Sequence, residues 1–210
     1  SMVDHNLITQ KLDTKKYCLG PKAMLWGSRF VLGQDPSGLL AGYCDLLAKE
    51  TNLYTFLCRM DADEVYCIYT SQPSKMQKKY FVHVGQRMPI HCTAAAKSIL
   101  AFLPFNQIEY LLSQNYPTQF TEATKTDVKQ IIKELQCIKQ TKIAFCNEEL
   151  ENGVSAISTP VFLANDEVGF SLSLICDACF LKNNERLLVD ELLKMGKKTS
   201  EHMGMANVLS

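Results

Sequence analysis

The sequence predicts an α+β fold with a mainly antiparallel sheet, and three observations support this prediction. Stretches with apolar residues at helical spacing are separated from stretches rich in β-branched and aromatic residues. The strand-like stretches come in runs, and so do the helix-like ones, whereas a doubly wound parallel sheet needs strict alternation of strand and helix. The 210 residues are 47% hydrophobic, which is enough for one good core or two small ones. A single globular domain is the default expectation.

The chain opens with two short candidate strands, which are followed by a helix. ITQK and KKYCL have strand character and are joined by the turn-prone LDT. A helix of about three turns is predicted from residue 36, because Asp35 is a good N-cap and Pro36 a good first helical residue. Its apolar residues recur at helical spacing: Leu39, Leu40, Tyr43, Leu46 and Leu47.

A run of three strands is predicted next, followed by a block of helices. LYTFLCRM, EVYCIYT and KYFVHVG are rich in aromatic and β-branched residues and are separated by DAD and SQPSKMQK, which is typical of an antiparallel meander. The first helix of the block opens in HCTAAAK. The apolar stripes of the other two are Ile108, Leu111 and Leu112, and then Val128, Ile131, Ile132, Leu135 and Ile138, with Thr126 or Thr124 as cap.

Three more strands and a final helix complete the predicted order. The strands lie over KIAFC, GVSAISTPVFL and EVGFSLSLIC, and Ala164, Asn165 and Asp166 form a hairpin connection between the last two. The final helix is predicted to begin near Asn184, and it carries Leu188, Leu192 and Met195 on one side. The order is therefore helix, three strands, three helices, three strands, helix.

Charge and hydropathy exclude several classes of function. Lysine plus arginine and aspartate plus glutamate number 22 each, so no net positive charge attracts phosphates, and nucleic-acid binding by this segment alone is disfavoured. No apolar run approaches the roughly 20 residues needed to cross a bilayer, and no signal-peptide pattern opens the chain. We expect a soluble, cytoplasmic protein without a membrane partner.

The nine cysteines are expected to be free thiols, because the cytosol keeps thiols reduced, and their odd number leaves at least one unpaired in a monomer. Cys58 and Cys67 lie in apolar strands, where cysteine acts as a small hydrophobic residue. Cys176 and Cys179 have the spacing of half a zinc site, but no second CxxC or HxxxH accompanies them. Neither a metal nor another cofactor is therefore predicted.

The last predicted hairpin has one bulky apolar face and one small face. Because side chains alternate along a strand, the small face collects Ala156, Ser158, Pro160, Gly169, Ser171 and Ser173, together with Ile175. Two interpretations of this face stay open. It is exposed to solvent or closely approached by a helix, or it is the floor of a ligand pocket, where small side chains leave volume and hydroxyls supply oriented hydrogen bonds.

The stretch HCTAAAK opens a helix with unusually small residues. Thr93 is expected to cap the helix with its hydroxyl, while Ala94, Ala95 and Ala96 leave the other first-turn amides uncovered. A helix start of this kind carries partial positive charge and suits a carboxylate, a phosphate or a carbonyl oxygen. The alternative is that alanine is present as the best helix former.

Residues that could carry catalysis form no recognised constellation. Of the four histidines, His5 and His202 are near the termini and His83 lies in a predicted strand. His91 precedes Cys92, but adjacency along the chain does not pair a thiolate with a base. The acidic run Glu148, Glu149 and Glu151 precedes a strand, where such runs are usually solvated turns. Since no phosphate-binding loop, dinucleotide fingerprint or HExxH motif is present, no catalytic residue is predicted and we expect no enzymatic activity.

Three segments together resemble the IclR-type effector-binding domain. GQRMPIHCTAAAKSILAFLP is similar to the family pattern of a glycine, then Pro-Leu-His-Ala-Ser/Thr-Ala/Gly-x-Gly-Lys, then an apolar helix. EELENGVSAISTPVF is similar to the signature in which Glu-Glu-x-x-x-Gly-Val precedes a small-residue strand ending in Pro-Val-Phe-Asp. KKYCLG resembles the Tyr-x-Leu-Gly that closes the wing of the family's DNA-binding domain. The resemblance covers residues 12–205.

The resemblance implies a GAF-like fold, a curved antiparallel sheet of about six strands flanked by helices, acting as the effector sensor of a transcriptional regulator. It implies that residues 1–20 are the remnant of the wing and linker of a missing N-terminal winged helix-turn-helix domain, and that residues 21–210 are the effector-binding domain. Operator DNA is then bound only through the missing domain. The family resemblance further implies a homodimer or a dimer of dimers.

The resemblance also implies where the effector binds and how the site departs from the family. Effector contacts fall on Ala94, Ala95, Cys146, Ala156, Ser173 and Ile175, and Thr93 joins them because the amides after it are the expected polar anchor. Cys146 stands where the family often has an acidic residue, and Ile175 where it can have serine. Leu163 stands where aspartate or asparagine commonly follows Pro-Val-Phe. These departures predict an organic acid or aromatic effector that is more apolar than is usual for the family.

Two other functions stay open beside this hypothesis. One is an enzyme that uses a thiolate such as Cys92 or Cys146. The other is a GAF-like dimerisation module whose pocket has collapsed and binds no ligand. In the favoured interpretation, the effector shifts the population of arrangements of the sensor dimer, and the helix near residues 36–50 transmits the shift to the DNA readers.

Overall fold

The computed structural model describes residues 2–3, 5, 7–10, 14–23, 37–73, 80, 82–163 and 167–206. The chain divides into two compact units, Ser1–Leu39 and Leu40–Ser210. In the first unit, β1 (Ile8–Gln10) pairs antiparallel with β2 (Tyr17–Leu19), so the two short strands predicted from ITQK and KKYCL are confirmed. The predicted helix start at Asp35 and Pro36 lies outside the described residues.

The remaining elements come in runs, as the α+β prediction requires. After α1 (Ser37–Thr51) come two strands, β3 (Tyr54–Asp61) and β4 (Glu64–Ser71). Three helices follow, which are α2 (Ala94–Leu100), α3 (Phe105–Gln114) and α4 (Val128–Thr141). The chain then forms β5 (Ala144–Asn147), β6 (Val154–Phe162), β7 (Val168–Asp177) and the long helix α5 (Ala178–Ala206). Over the described residues, no helix is both long and apolar enough to span a bilayer.

One antiparallel sheet of order β4-β3-β7-β6-β5 organises the second unit, which confirms the predicted fold class. Because side chains alternate along each strand, the sheet has two apolar faces, each covered by helices. Phe56, Ala156 and Ile175 belong to the core beneath α2, α3 and α4. Leu57 and Ile157, their chain neighbours, belong to the core beneath α1 and α5. The predicted alternation of the last hairpin is therefore confirmed.

The strand predicted over KYFVHVG differs from the structure. Tyr80 and residues 82–85 are not in a strand. The chain turns at residues 83–86, where Gln86 N donates to His83 O at 2.9 Å, and Gly85 takes a positive φ of 85° that favours glycine. Pairing with the outer side of β4 begins within this turn, where Gly85 N donates to Cys67 O at 2.7 Å, and it continues with Met88 N donating to Val65 O at 2.8 Å.

Two predicted helix starts are also corrected. Asp127, and not Thr124 or Thr126, is the cap of α4, and its side chain accepts from Lys129 N at 3.0 Å. Helix α5 begins at Ala178, six residues before Asn184, because its apolar stripe extends back to the buried Leu181. The connection Ala164, Asn165 and Asp166 lies outside the described residues.

Candidate functional site

The helix that opens in HCTAAAK is the wall of a small cavity. Every residue of α2 is buried, and Thr93 occupies the N-cap position with extended backbone angles, φ −86° and ψ 136°. Its hydroxyl does not cap the helix as predicted, because it donates to Pro89 O at 2.7 Å instead. The first helical turn closes where Lys97 N donates to Thr93 O at 3.0 Å. The amides of the three alanines precede this bond and have no intrahelical acceptor.

The cavity lies between this helix start and the small face of β6 and β7. Its lining is Phe56, Val82, Met88, Thr93, Ala94, Ala95, Cys146, Leu150, Glu151, Val154, Ser155, Ala156 and Ile175. The volume open to the centre of a water-sized sphere is about 20 Å³, which is the space of a single water molecule. In this conformation, the lining side chains themselves occupy most of the space between the helix start and the sheet.

The strand register brings three of the predicted site residues into one row. Cys146 in β5 lies opposite Ala156 in β6, and Ala156 lies opposite Ile175 in β7. Side chains directly opposite one another on one face of a sheet are nearest neighbours. Together with Thr93, Ala94 and Ala95 from the helix start, six of the seven predicted residues line the cavity.

Ser173, the seventh predicted residue, does not line the cavity. Its hydroxyl donates to Ser158 Oγ at 2.8 Å, and Ser158 Oγ lies 3.0 Å from Ser98 Oγ of α2. All three hydroxyls are buried. Both interpretations of the small face therefore hold for different parts of it: a cavity lies over Ala156 and Ile175, and α2 approaches closely over the serines.

A buried ion network beside the cavity was missed by the sequence analysis. Lys97 Nζ lies 2.7 Å from Glu149 Oε1 and 2.8 Å from Glu134 Oε1, and its side chain has no exposed surface. Lys125 Nζ lies 2.9 Å from Glu134 Oε2. Glu149 was expected in a solvated turn, but it is 2% exposed and its Oε2 has no partner among the described residues. Of its neighbours, Glu151 is exposed as predicted, whereas Glu148 is half-buried and its Oε1 accepts from Gly153 N at 2.6 Å.

The electrostatics of this network keep Lys97 charged. Burial alone lowers the pKa of a lysine, but Glu149 and Glu134 together outweigh burial and hold the pKa of Lys97 above its ordinary value. The contacts span 37 and 52 residues of sequence. The only sign of them in the sequence is a lysine within a helix whose other residues are small or apolar.

The thiols and the imidazole near the cavity are in states unsuited to nucleophilic catalysis. Burial raises the pKa of Cys146 to about 11 and raises that of Cys92 further, which leaves almost no thiolate at neutral pH. Burial lowers the pKa of His91, whose Nε2 lies 2.9 Å from Thr118 O. These positions offer no support for the thiolate enzyme.

The part of the chain that the structure describes contains no candidate metal site. No three His, Cys, Asp or Glu side chains cluster there as metal ligands. The two thiols of CDAC lie in different surroundings, because Cys176 is buried in β7 while Cys179 is exposed in the first turn of α5.

Comparison with known proteins identifies the family. The family model described as bacterial transcriptional regulator IclR C-terminal matches residues 39–202. The transcriptional regulator XynR of Escherichia coli is 30% identical over 171 residues, covering 81% of this chain and 67% of XynR. An IclR transcriptional regulator from Alicyclobacillus acidocaldarius has a similar fold, with a TM-score of 0.84 at 23% identity, covering 95% of this chain and 80% of that one.

A ligand-bound relative is also similar in fold. The inducer binding domain of PobR from Acinetobacter, solved as a double mutant with 3-hydroxybenzoic acid, has a TM-score of 0.69 at 24% identity, covering 80% of this chain and 97% of that one. These relatives are transcriptional regulators, the class of protein that the sequence predicts. The chain therefore belongs to the IclR family of bacterial transcriptional regulators, and residues 39–202 form the effector-binding C-terminal domain of that family.

Proposed function

We propose that the cavity at the start of α2 is the effector site of this regulator. One observation carries the proposal: the small residues Ala94 and Ala95 face the row Cys146, Ala156 and Ile175 across a water-sized space. Small side chains on both walls let a ligand approach the backbone. In this proposal Ser173 does not contact the effector. Its hydrogen bond to Ser158 holds β6 and β7, which form the floor of the site, in place.

The chemistry of the lining supports an apolar organic acid or aromatic compound as effector. Most lining side chains are apolar, and Glu151 and Ser155 are polar exceptions. Cys146 stands where the family often has an acidic residue, and Ile175 stands where it can have serine. The amides after Thr93 are the proposed anchor for a carboxylate, because a helix start carries partial positive charge. The PobR domain, which holds 3-hydroxybenzoic acid, makes a benzoate-like ligand a reasonable first probe.

Binding then requires the cavity to expand. Ligand pockets usually measure about 300–1,000 Å³, and this conformation offers about 20 Å³. Met88 has a flexible thioether side chain that can repack, and Leu150 is only half-buried. An effector that fits only the expanded state shifts the population toward it, which is the proposed signal to the rest of the regulator.

Thermal unfolding with benzoate, 3-hydroxybenzoate and the more apolar 4-tert-butylbenzoate tests this site. We expect stabilisation that is largest for the most apolar acid, since a ligand at 100 times its Kd adds about 2.7 kcal/mol. Ala94→Leu fills the cavity and should abolish the stabilisation. The matched variant Ala123→Leu changes an exposed alanine and should keep it.

Other outcomes distinguish the alternatives. If no acid stabilises the protein, the ligand-free dimerisation module is favoured. If Ala94→Leu still binds as tightly as the native chain, the effector site lies elsewhere. Iodoacetamide at neutral pH should label Cys92 and Cys146 more slowly than the exposed Cys179, and fast labelling of either would revive the thiolate enzyme.

We further propose a domain organisation and partners for the whole regulator. Residues 1–20 are the end of a wing and its linker, residues 21–210 are the effector-binding domain, and operator DNA is bound by an N-terminal winged helix-turn-helix domain. The regulator acts in the cytoplasm as a homodimer or a dimer of dimers. The reading frame upstream of Val3 tests this organisation, because one that encodes no helix-turn-helix would contradict it.

A further inference from the structure

Two buried cysteines face each other across the hairpin formed by β3 and β4. Cys58 in β3 lies opposite Cys67 in β4, and both are free thiols. Both belong to the core on the α2 side of the sheet, and neither is more than 1% exposed. Opposite residues on one face of a sheet are nearest neighbours across the strands, so the two thiols are in contact range.

The backbone bonds of Cys67 identify the type of cross-strand pair. Its amide donates to Gln86 O at 2.9 Å, and its carbonyl accepts from Gly85 N at 2.7 Å. In an antiparallel ladder, the amide and carbonyl of one residue point to the same side. Those of Cys67 point away from β3, toward residues 85 and 86. Cys58 and Cys67 therefore form a non-hydrogen-bonded pair.

This pair type brings the two backbones to disulfide distance. Cα atoms of non-hydrogen-bonded pairs lie about 4.5 Å apart, against about 5.5 Å in the hydrogen-bonded type. A disulfide spans Cα atoms about 4.4–6.8 Å apart, provided that the Cβ atoms do not point apart. The register of β3 and β4 shifts by one residue between Leu57 and Cys58, next to the pair. Both side chains belong to the core on the same face of the sheet, so their Cβ atoms do not point apart.

We propose that Cys58 and Cys67 are a redox modification site, at which a peroxide converts the facing thiols into a disulfide that thiol reductants reverse. One thiolate attacks the peroxide, so that an S–O bond forms while the O–O bond breaks, and hydroxide leaves with the thiol proton as water. The second thiolate attacks the sulfenic sulfur, which forms the S–S bond and releases a second water. Two thiols are oxidised and one peroxide is reduced.

The position of the pair sets how it reacts. Burial holds the pKa of Cys58 well above its ordinary value, so little thiolate exists in the closed sheet and attack is slow. Cys67 lies on β4, which ends the sheet but is bonded on its outer side to residues 85 and 86, and its thiol donates to Tyr69 O at 3.5 Å. Attack on this thiol therefore requires local opening of these bonds. The site responds to sustained oxidation and not to a brief exposure.

Oxidation at this hairpin acts next to the cavity. Phe56, which precedes Cys58 by two residues on the same face, lines the cavity, and so does Met88, whose amide bonds to Val65 of β4. A covalent link between β3 and β4 restrains this wall. The inference does not depend on which ligand the cavity binds, because the thiol pair is defined by the sheet alone.

Peptide mapping after exposure to hydrogen peroxide tests the proposal, because Arg59 lies between the two cysteines. Once free thiols are blocked, trypsin yields peptides 50–59 and 60–75 with one cysteine each, so a disulfide joins two otherwise separate peptides. We expect the linked pair from monomeric native protein, and its loss after dithiothreitol. Cys67→Ala and Cys58→Ala should each abolish it. Cys44→Ala, which removes a buried thiol on the other face, should keep it.

Three results would overturn the proposal. The first is complete oxidation of the exposed Cys18, Cys137 and Cys179 while peptides 50–59 and 60–75 stay unlinked. The second is a link that forms only in urea-unfolded protein. The third is preferential linkage of either cysteine to a different one. Circular dichroism of each alanine variant establishes that the lost link does not reflect lost folding.

Discussion

Single residues near the cavity behave differently from what their type suggests. Lys97 follows three alanines and would pass for an exposed helix charge, yet it has no exposed surface and contacts Glu149 and Glu134. The contact between Lys97 and Glu149 joins α2 to the turn before β6, and both of these segments contribute residues to the lining of the cavity. Ions held in this way contribute little net stability compared with apolar packing, but loss of one partner leaves an uncompensated buried charge.

Lys97→Met is therefore expected to destabilise the chain by about 3–5 kcal/mol, because the buried Glu149 loses the ammonium at 2.7 Å while Lys125 lies farther away, at 3.6 Å. Urea unfolding followed by circular dichroism measures the change. Lys125→Met is the matched control, since Lys125 contacts Glu134 but its side chain is 38% exposed, and we expect it to cost about 1 kcal/mol or less. If the two variants lose the same free energy of unfolding, the burial of Lys97 does not determine its contribution to stability.

At the scale of elements, helix α5 lies unusually close to β6. A Cβ at Gly196 would lie 2.5 Å from Thr159 Cγ2, which is closer than real contacts allow. Thr159 has little freedom to move, because its hydroxyl donates to Lys142 O at 3.0 Å. Gly42 in α1 is the opposite case, since it is exposed and nothing lies within 4 Å of an added Cβ.

The same substitution should thus have opposite effects in the two helices. Gly196→Ala is expected to destabilise by about 1–3 kcal/mol through overpacking. Gly42→Ala is expected to stabilise by about 0.5–1 kcal/mol, because alanine loses less backbone entropy in a helix than glycine. Thermal unfolding of both variants checks the signs, and stabilisation by Gly196→Ala would contradict the close approach of α5 to β6.

Elements also show which sequence signals are reliable. Periodicity predicted the faces of β6 and β7 and the buried residues Ile131, Leu135 and Ile138 of α4. Helix starts were less predictable, since Thr93 and Thr124 direct their hydroxyls to carbonyls of Pro89 and Glu149. A cap is one hydrogen bond among several that a hydroxyl can make locally, whereas a periodic face combines the burial of many side chains.

At the scale of the whole molecule, the second unit contains its own cores. Among the residues that the structure describes, the two apolar clusters on the faces of the sheet begin at Leu40 and Tyr54 and include none that precedes Leu40. A domain with its own core can fold alone. The family match begins at residue 39, which agrees with this division.

Removal of residues 1–36 should therefore leave cooperative unfolding intact, with a free energy of unfolding changed by about 0.5 kcal/mol or less. Urea unfolding of the shortened chain tests this. A longer truncation that also removes α1 takes away the buried Leu40 and Leu47 and should abolish the transition. If the shorter truncation alone does so, the first unit is required for folding.

The sequence by itself determined the α+β class, the alternating faces of the sheet, the small residues at the start of α2 and the family. Each of these depends on local periodicity or on a short motif, and both can be recognised in the sequence without knowledge of tertiary contacts. Only the tertiary structure decided that Ser173 bonds to Ser158 instead of lining the cavity, and that Lys97 meets Glu149 across 52 residues. It also decided that the cavity is nearly closed. These properties depend on how closely α2 approaches the sheet, and that distance follows from the packing of both cores together.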